Sequence, residues 1–244
     1  MERFEDEAVV LGTVDFGDAD RLVALFTRGH GRLSAFAAGA RKSKRRFAGA
    51  LGAGTWLKAS LVARRGDTYR LEEVSVVQSF HHLQDELPLI ARSLYCLELC
   101  RELTRDAQPH PPLFEALVAY LQLLDRKEAG PTSLLKFELD ALEQAGLKPR
   151  FDSCVFCGKV PGARPRFDAQ GGGAVCDDCS FRVPGAVHVP TSVLEALAGL
   201  QAGLRRPLPP EVRARSREVL GRFLAHHLGR RLKSLDFMEQ VGVD

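Results

Sequence analysis

At 244 residues and 45% apolar content, the chain has length for one large domain or two small ones with a substantial core. Its net charge is only +3, so the overall balance does not by itself commit the protein to a polyanionic partner. No apolar run approaches the roughly 20 residues that span a bilayer, and the start, Met1 to Glu7, is too acidic for a signal peptide, so the expected location is the cytoplasm with no membrane contact.

From Glu7 to about Phe80, short β-branched or apolar runs alternate with Gly-rich turns: Ala8–Val14, Arg21–Phe26, Arg32–Ala37, Trp56–Ala63 and Tyr69–Val77. Five strands this close together leave no room for crossover helices, so antiparallel pairing in a small barrel is expected. A Greek-key OB-fold is the economical choice, with an SH3-like barrel the alternative. After Phe80 the period becomes helical. Candidate helices run over Leu83–Asp106, Pro112–Arg126, Thr132–Ala145, Val193–Ala202 and Glu211–Leu235, with Pro111-Pro112, Gly130-Pro131, Gly146 and a Ser192-to-Glu195 capping box marking ends. Helical periodicity vanishes between Lys148 and Pro190. The expected fold is thus α+β and multidomain: an N-terminal five-stranded OB-fold barrel over 1–80, an α-helical domain in two parts over 81–149 and 190–244, and a four-cysteine zinc module inserted over 150–189.

The insert carries Cys154-x-x-Cys157, then eighteen residues, then Cys176-x-x-Cys179, a spacing within the zinc-ribbon range. Each pair on a tight turn presents two thiolates to one side of a tetrahedral ion. Four sulfurs leave no open position for water, so one structural Zn2+ per chain is expected, folding a segment too small for its own core. Clustered cysteines in an otherwise regular chain argue against a secreted disulfide scaffold. Cys96 and Cys100, four apart on a leucine-rich helix, read as small core residues.

Between Asp20 and Asp67 there is no acidic residue, while Arg21, Arg28, Arg32, Arg41, Lys42, Lys44, Arg45, Arg46, Lys58, Arg64 and Arg65 supply positive charge. The densest run, Arg41 to Arg46, falls between the third and fourth strands, where a barrel loop can track a phosphate backbone. Phe36, Phe47 and Trp56 are either stacking surfaces for unpaired bases or barrel core. A second, sparser basic region contains Arg205, Arg206, Arg213, Arg217, Arg230 and Arg231, together with Arg215, Arg222 and Lys233; it reads as the solvated face of the last helix or as a partner or second DNA site. No GxxxxGK[ST] loop, GxGxxG or HxE…PCxxC signature occurs, and His81-His82 and His226-His227 point in different directions as neighbours on a helix, so no catalytic residues or small-molecule substrate are expected.

Taken in order, Gly17-Asp18-Ala19-Asp20-Arg21-Leu22-Val23-Ala24-Leu25-Phe26-Thr27, Gly39-Ala40-Arg41-Lys42-Ser43, Phe137-Glu138-Leu139-Asp140-Ala141-Leu142, Gly146-Leu147-Lys148-Pro149, the four cysteines with Gly171-Gly172, and Gly229-Arg230-Arg231-Leu232-Lys233-Ser234 resemble the bacterial RecO family of DNA repair and recombination mediators. Asp18 stands where that family usually carries Glu. The resemblance implies an OB-fold, a helical domain and, in many members, a four-cysteine module; members without the cysteines imply that zinc is structural and apart from annealing. It also implies binding of single- and double-stranded DNA, annealing of complementary strands without ATP, and assistance to RecA loading with RecR on DNA coated by single-strand-binding protein (SSB), in the cytoplasm at the nucleoid. On that footing the acidic C-terminal tail of SSB is expected in a groove of the helical domain rimmed by arginines such as Arg213 or Arg217. The alternatives are an RNA-binding or ribosome-associated protein built from an OB-fold and a zinc ribbon, and an enzyme whose site the sequence hides.

Overall fold

The computed structural model describes residues 3–43, 46–47, 49–64, 68–204 and 206–243. Five strands, β1 (Arg3–Phe16), β2 (Asp20–Thr27), β3 (Gly31–Ala37), β4 (Trp56–Ala63) and β5 (Thr68–Gln78), close into a barrel in the order β1-β2-β3-β5-β4. This is the OB-fold arrangement. Four seams are antiparallel, but β3 and β5 run parallel, with Ser34, Ala35 and Phe36 opposite Thr68, Tyr69 and Arg70. The expectation of antiparallel pairing throughout fails for a topological reason: strand directions cannot alternate around a ring with an odd number of strands, so one seam must be parallel.

The barrel fills from the alternating inward positions of each strand. Val23 and Leu25 of β2, Leu33, Ala35 and Ala37 of β3, Leu57, Ala59 and Leu61 of β4 and Leu71 of β5 form one buried cluster. Ala40, Phe47 and Leu51 from the β3–β4 connection complete it. Phe47 therefore belongs to the core, 2% exposed, and offers no face for a base. The period-2 pattern that buries Leu33, Ala35 and Ala37 turns Phe36 outward.

A short 3-10 turn at His81–Gln84 leads into α1 (Leu87–Leu103), followed by α2 (Pro111–Asp125). With the barrel they form one compact unit, which ends at Glu128. Phe26, buried on the outer side of β2, meets Phe114 of α2 edge-on at 5.8 Å. Gly31 is the position where the chain needs glycine: at φ 72° it approaches the Gln108 backbone so closely that a Cβ would lie 2.1 Å from that carbonyl oxygen. Cys96 and Cys100 are fully buried on α1, and burial pushes the Cys100 thiol far above its ordinary range.

A second compact unit begins at Ala129. It contains α3 (Ser133–Gln144), a three-stranded antiparallel sheet of β6 (Arg166–Asp168), β7 (Gly173–Val175) and β8 (Val187–His188) in the order β7-β6-β8, then α4 (Thr191–Gln201), α5 (Pro210–Leu228) and α6 (Lys233–Gln240). Phe151 stacks on Phe167 at 5.7 Å, and Phe167 meets Phe223 edge-on at 6.1 Å, which fastens the insert to α5. A Glu211–Leu235 helix does not form: Gly229, at φ 67°, caps α5 in the left-handed conformation, and the chain restarts as α6 at Lys233. Nor does the Ser192 capping box form. Pro190 occupies the cap with extended geometry, its carbonyl accepts from the Val193 and Leu194 N–H groups, and Ser192 falls inside the first turn of α4.

Among the described residues, no helix is long and apolar enough to cross a membrane.

Candidate metal centre and nucleic-acid interface

Cys154 and Cys157 sit on a tight turn closed by the Gly158 N–H donating to the Cys154 carbonyl at 2.9 Å, with the Cys154 N–H donating to the Lys159 carbonyl at 2.8 Å. Cys176 and Cys179 sit on a second turn, where the Cys179 N–H donates to the Cys176 carbonyl at 3.1 Å. The two turns face each other, and the four sulfurs all lie within 4.8 Å of one another. Cys157 and Cys176 are 3.6 Å apart at Sγ. That is far beyond a disulfide's roughly 2.05 Å and near the ~3.8 Å edge of a tetrahedron with ~2.3 Å metal–sulfur bonds.

The electrostatics of the bare thiols point the same way. Burial presses the Cys154 thiol upward, but hydrogen bonds from the Cys176, Cys157 and Phe156 backbone and the Cys157 side chain outweigh it and bring Cys154 down to about 6. Burial first, and the neighbouring thiols second, push Cys179 up to about 12; Cys176 is raised too, again chiefly by burial. Four sulfurs in one small space cannot all ionise without a cation among them, and a divalent ion supplies the missing charge. The four cysteines can hold a metal ion with a closed coordination shell.

On the barrel, the acid-free stretch divides between two ends of the β2–β3 hairpin, which lie about 20 Å apart along the strands. At one end, Arg28 pairs with Glu115 of α2 at 2.6 Å, and Arg32 pairs with Asp106 at 2.6 Å while also donating to the Arg101 carbonyl. Both side chains hold the α1–α2 pair onto the barrel. Lys58 is exposed midway along β4, flanked in register by Glu7 and Ser75.

The other end gathers most of the remaining cations. Asp15 takes Arg21 at 3.0 Å and Arg41 at 3.5 Å, so two guanidinium groups share one carboxylate. Arg41 also donates to the Gly17 carbonyl, and Arg46 donates to the Ala38 carbonyl at 2.8 Å with its guanidinium 5.1 Å from the Phe47 ring centre. Lys42 is exposed on the same loop. Arg64 and Arg70, with Phe36, Ala38, Val62 and Glu72, line an open depression of about 400 Å³. Phe16, 60% exposed, packs edge-on against Phe36 at 5.7 Å. Trp56 is half-buried at the opposite end of β4 and takes no part. Lys44, Arg45 and Arg65 lie outside the described residues.

Arg70 and Phe16 are absent from the sequence-based set because Arg70 follows Asp67 and Phe16 precedes Asp20, the two residues that bound the acid-free window. Register brings them in: Arg70 stands directly opposite Phe36 across the parallel seam.

In the second unit, the basic residues do not form one face. Arg217 turns inward, 17% exposed, toward the buried Glu138 of α3 at 3.8 Å. Arg230 and Arg231 fall in the break between α5 and α6, where Arg231 pairs with Asp236 at 3.0 Å and with Glu239. Arg213 is half-buried and Arg206 exposed, while Arg205 lies outside the described residues. Arg215, Arg222 and Glu218 rim a depression of about 150 Å³ floored by Val187, Val189, Pro190 and Val219, with Arg215 paired to Glu218 at 2.6 Å.

Comparison with known proteins assigns a lineage to this pairing of barrel and four-cysteine insert. The family model for the Recombination protein O N terminal matches residues 1–80, and that for the Recombination protein O C terminal matches residues 85–236. The chain is 60% identical over 244 residues to the DNA repair protein RecO of Myxococcus xanthus (strain DK1622), covering 100% of each. It is 47% identical over 249 residues to the DNA repair protein RecO of Anaeromyxobacter sp. (strain K), covering 99% of this chain and 98% of that one. It is 34% identical over 243 residues to the DNA repair protein RecO of Geobacter sulfurreducens, covering 99% of each.

Proposed function

The chain belongs to the RecO family of DNA repair proteins, and we propose that it holds DNA at the Phe16–Phe36 end of its barrel and anneals complementary strands without nucleotide hydrolysis. The observation that carries this reading is the convergence of Arg21, Arg41, Arg46, Arg64 and Arg70 on one barrel end around two outward phenylalanines. Phosphates pair with the guanidinium groups, and an unpaired base stacks on the exposed ring of Phe16 or the outward, half-buried ring of Phe36. Phosphate charge neutralised on the protein lowers the repulsion between two strands, so complementary bases meet without any covalent chemistry. No catalytic residue is required. Arg28 and Arg32 contribute indirectly, by fixing the helices to the barrel.

The metal is assigned as zinc, since an all-thiolate tetrahedral set suits Zn2+ and leaves no position for a reacting water. Its part is to fold the insert. The partners follow the family: RecR, SSB and, through them, RecA, in the cytoplasm at the nucleoid. The acidic SSB tail is assigned to the Val187–Val219 depression, where Arg222 stands at the rim and Arg215 is already paired with Glu218 at 2.6 Å, while Arg217 turns inward toward Glu138.

The test is annealing of two complementary oligonucleotides precoated with SSB, without ATP, followed by fluorescence energy transfer at several salt concentrations. Rapid pairing that slows as salt rises is expected. No acceleration with either coated or bare strands would refute the annealing role.

A further inference from the structure

The metal-binding insert exposes apolar surface that its fold does not use. Phe156, within the first cysteine turn, is 41% exposed; Phe181, two residues beyond the second, is 76% exposed. Between them lies Arg182, its guanidinium carbon 5.6 Å from the centre of each ring. Among the described residues no carboxylate pairs with this guanidinium, although Lys159 and Asp178 pair nearby at 3.4 Å. Large exposed aromatics on a small module are informative in a way that a scattered exposed leucine is not. Two flat apolar faces with an unpaired planar cation between them match the repeating chemistry of an unpaired strand, in which planar bases alternate with anionic phosphates. The rings offer stacking surfaces, and the guanidinium fork fits two phosphate oxygens at once.

We infer that Phe156, Arg182 and Phe181 form a second contact for single-stranded DNA on the insert, separate from the barrel surface, with one base on each ring and the intervening phosphate on Arg182. The site is selective for unpaired DNA, because the base faces it needs are covered in a duplex. It rests on the four cysteines only through the turns that present the rings. Its carboxylates, Asp152, Asp177 and Asp178, offset much of the local positive charge. Stacking therefore carries this contact, and its salt dependence is shallower than the barrel's.

The experiment uses the full-length, metal-replete chain and labelled oligo(dT), with a duplex of equal length as control. Phe156→Ala/Phe181→Ala is expected to bind oligo(dT) at least tenfold more weakly, with duplex affinity within twofold of the parent, and metal content and thermal midpoint report on folding. Oligo(dT) affinity within twofold of the parent overturns the inference and turns the patch toward a protein partner. An equal loss on both DNAs overturns it as well. Phe181→Trp covers the case in which the double variant unfolds: oligo(dT) should quench the added indole emission after subtraction of the parent's Trp56 signal, and no added quenching at saturating DNA counts against the site. Because duplex binding reads the barrel, a failed barrel reading and a failed insert site give different patterns.

Discussion

Replacing Arg64 and Arg70 together with Gln tests the barrel surface most directly. The patch has six described cations, Arg21, Arg41, Lys42, Arg46, Arg64 and Arg70; Arg21 and Arg41 share Asp15, Asp18 and Asp20 stand at the neighbouring β1–β2 turn, and Glu72 faces Arg3, which leaves Lys42, Arg46, Arg64 and Arg70 to meet phosphate. Single-stranded DNA loses affinity with a log–log salt slope of about −0.7 per phosphate neutralised, so a patch engaging about four phosphates gives a slope near −2.8, and the double substitution should bring it to about −1.4. Fluorescence anisotropy of labelled oligo(dT) between low and moderate salt measures both slopes. The paired control is Arg28→Gln/Arg32→Gln, which removes equal charge at the hairpin's other end. Those arginines face Glu115 and Asp106, so the control should leave the slope unchanged while lowering the thermal midpoint slightly, each exposed pair contributing no more than about 1 kcal/mol. An unchanged slope in the first variant, or equal slope losses in both, would refute the division of the acid-free stretch.

Metal analysis of protein never exposed to chelator should find about one equivalent of zinc per chain, and Cys154→Ser should lose it and make residues 150–189 sensitive to limited proteolysis while the barrel stays resistant. Phe47→Ala should destabilise the protein by about 3 kcal/mol or more, read by denaturant unfolding, because its ring fills the barrel core. Removing Glu138 by Ala should cost about 3 kcal/mol through the stranded Arg217, and the pair replaced together by Leu and Met should recover much of it. His227 lies below its ordinary range, first through burial and then through the charge of His226. The unfolded chain therefore takes up that proton more readily, so this contribution to stability is present above the ordinary histidine pKa of about 6.5 and is lost as pH falls through it. Thermal midpoints of parent and His227→Gln between pH 5 and 8 should converge toward the acid end.

Much of this architecture is legible along the chain because its signals are local. The alternation in Leu33, Ala35 and Ala37 marks a strand with one buried face, and two CxxC pairs at ribbon spacing report a metal site from the backbone turns they need. What escapes depends on ring closure, register or partners distant in sequence. The parallel β3–β5 seam follows from counting strands in a closed ring, a property no window of sequence contains. Arg28 and Arg32 look equivalent to Arg41 until Glu115 and Asp106 arrive opposite them. Phe47 lies amid cations, yet its ring enters the core while Phe36, preceded and followed by alanines, stays outside. The Gly229 break was legible in principle, since glycine commonly ends helices, but apolar spacing runs across it and conceals the stop.

The connection between β3 and β4 is fastened at both ends of its basic run. The Gly39 N–H donates to the Asp20 carboxylate at 2.7 Å, and Phe47 is sealed into the barrel. Arg41 and Arg46, each close to an anchor and held to the Gly17 and Ala38 carbonyls, have already surrendered much of their freedom when the chain folds, so the entropy of placing these two cations is charged to folding rather than to DNA binding. Affinity then becomes a matter of loop length as well as charge: flexible residues inserted between the anchors would weaken the grip on DNA while leaving every cation and the barrel core in place.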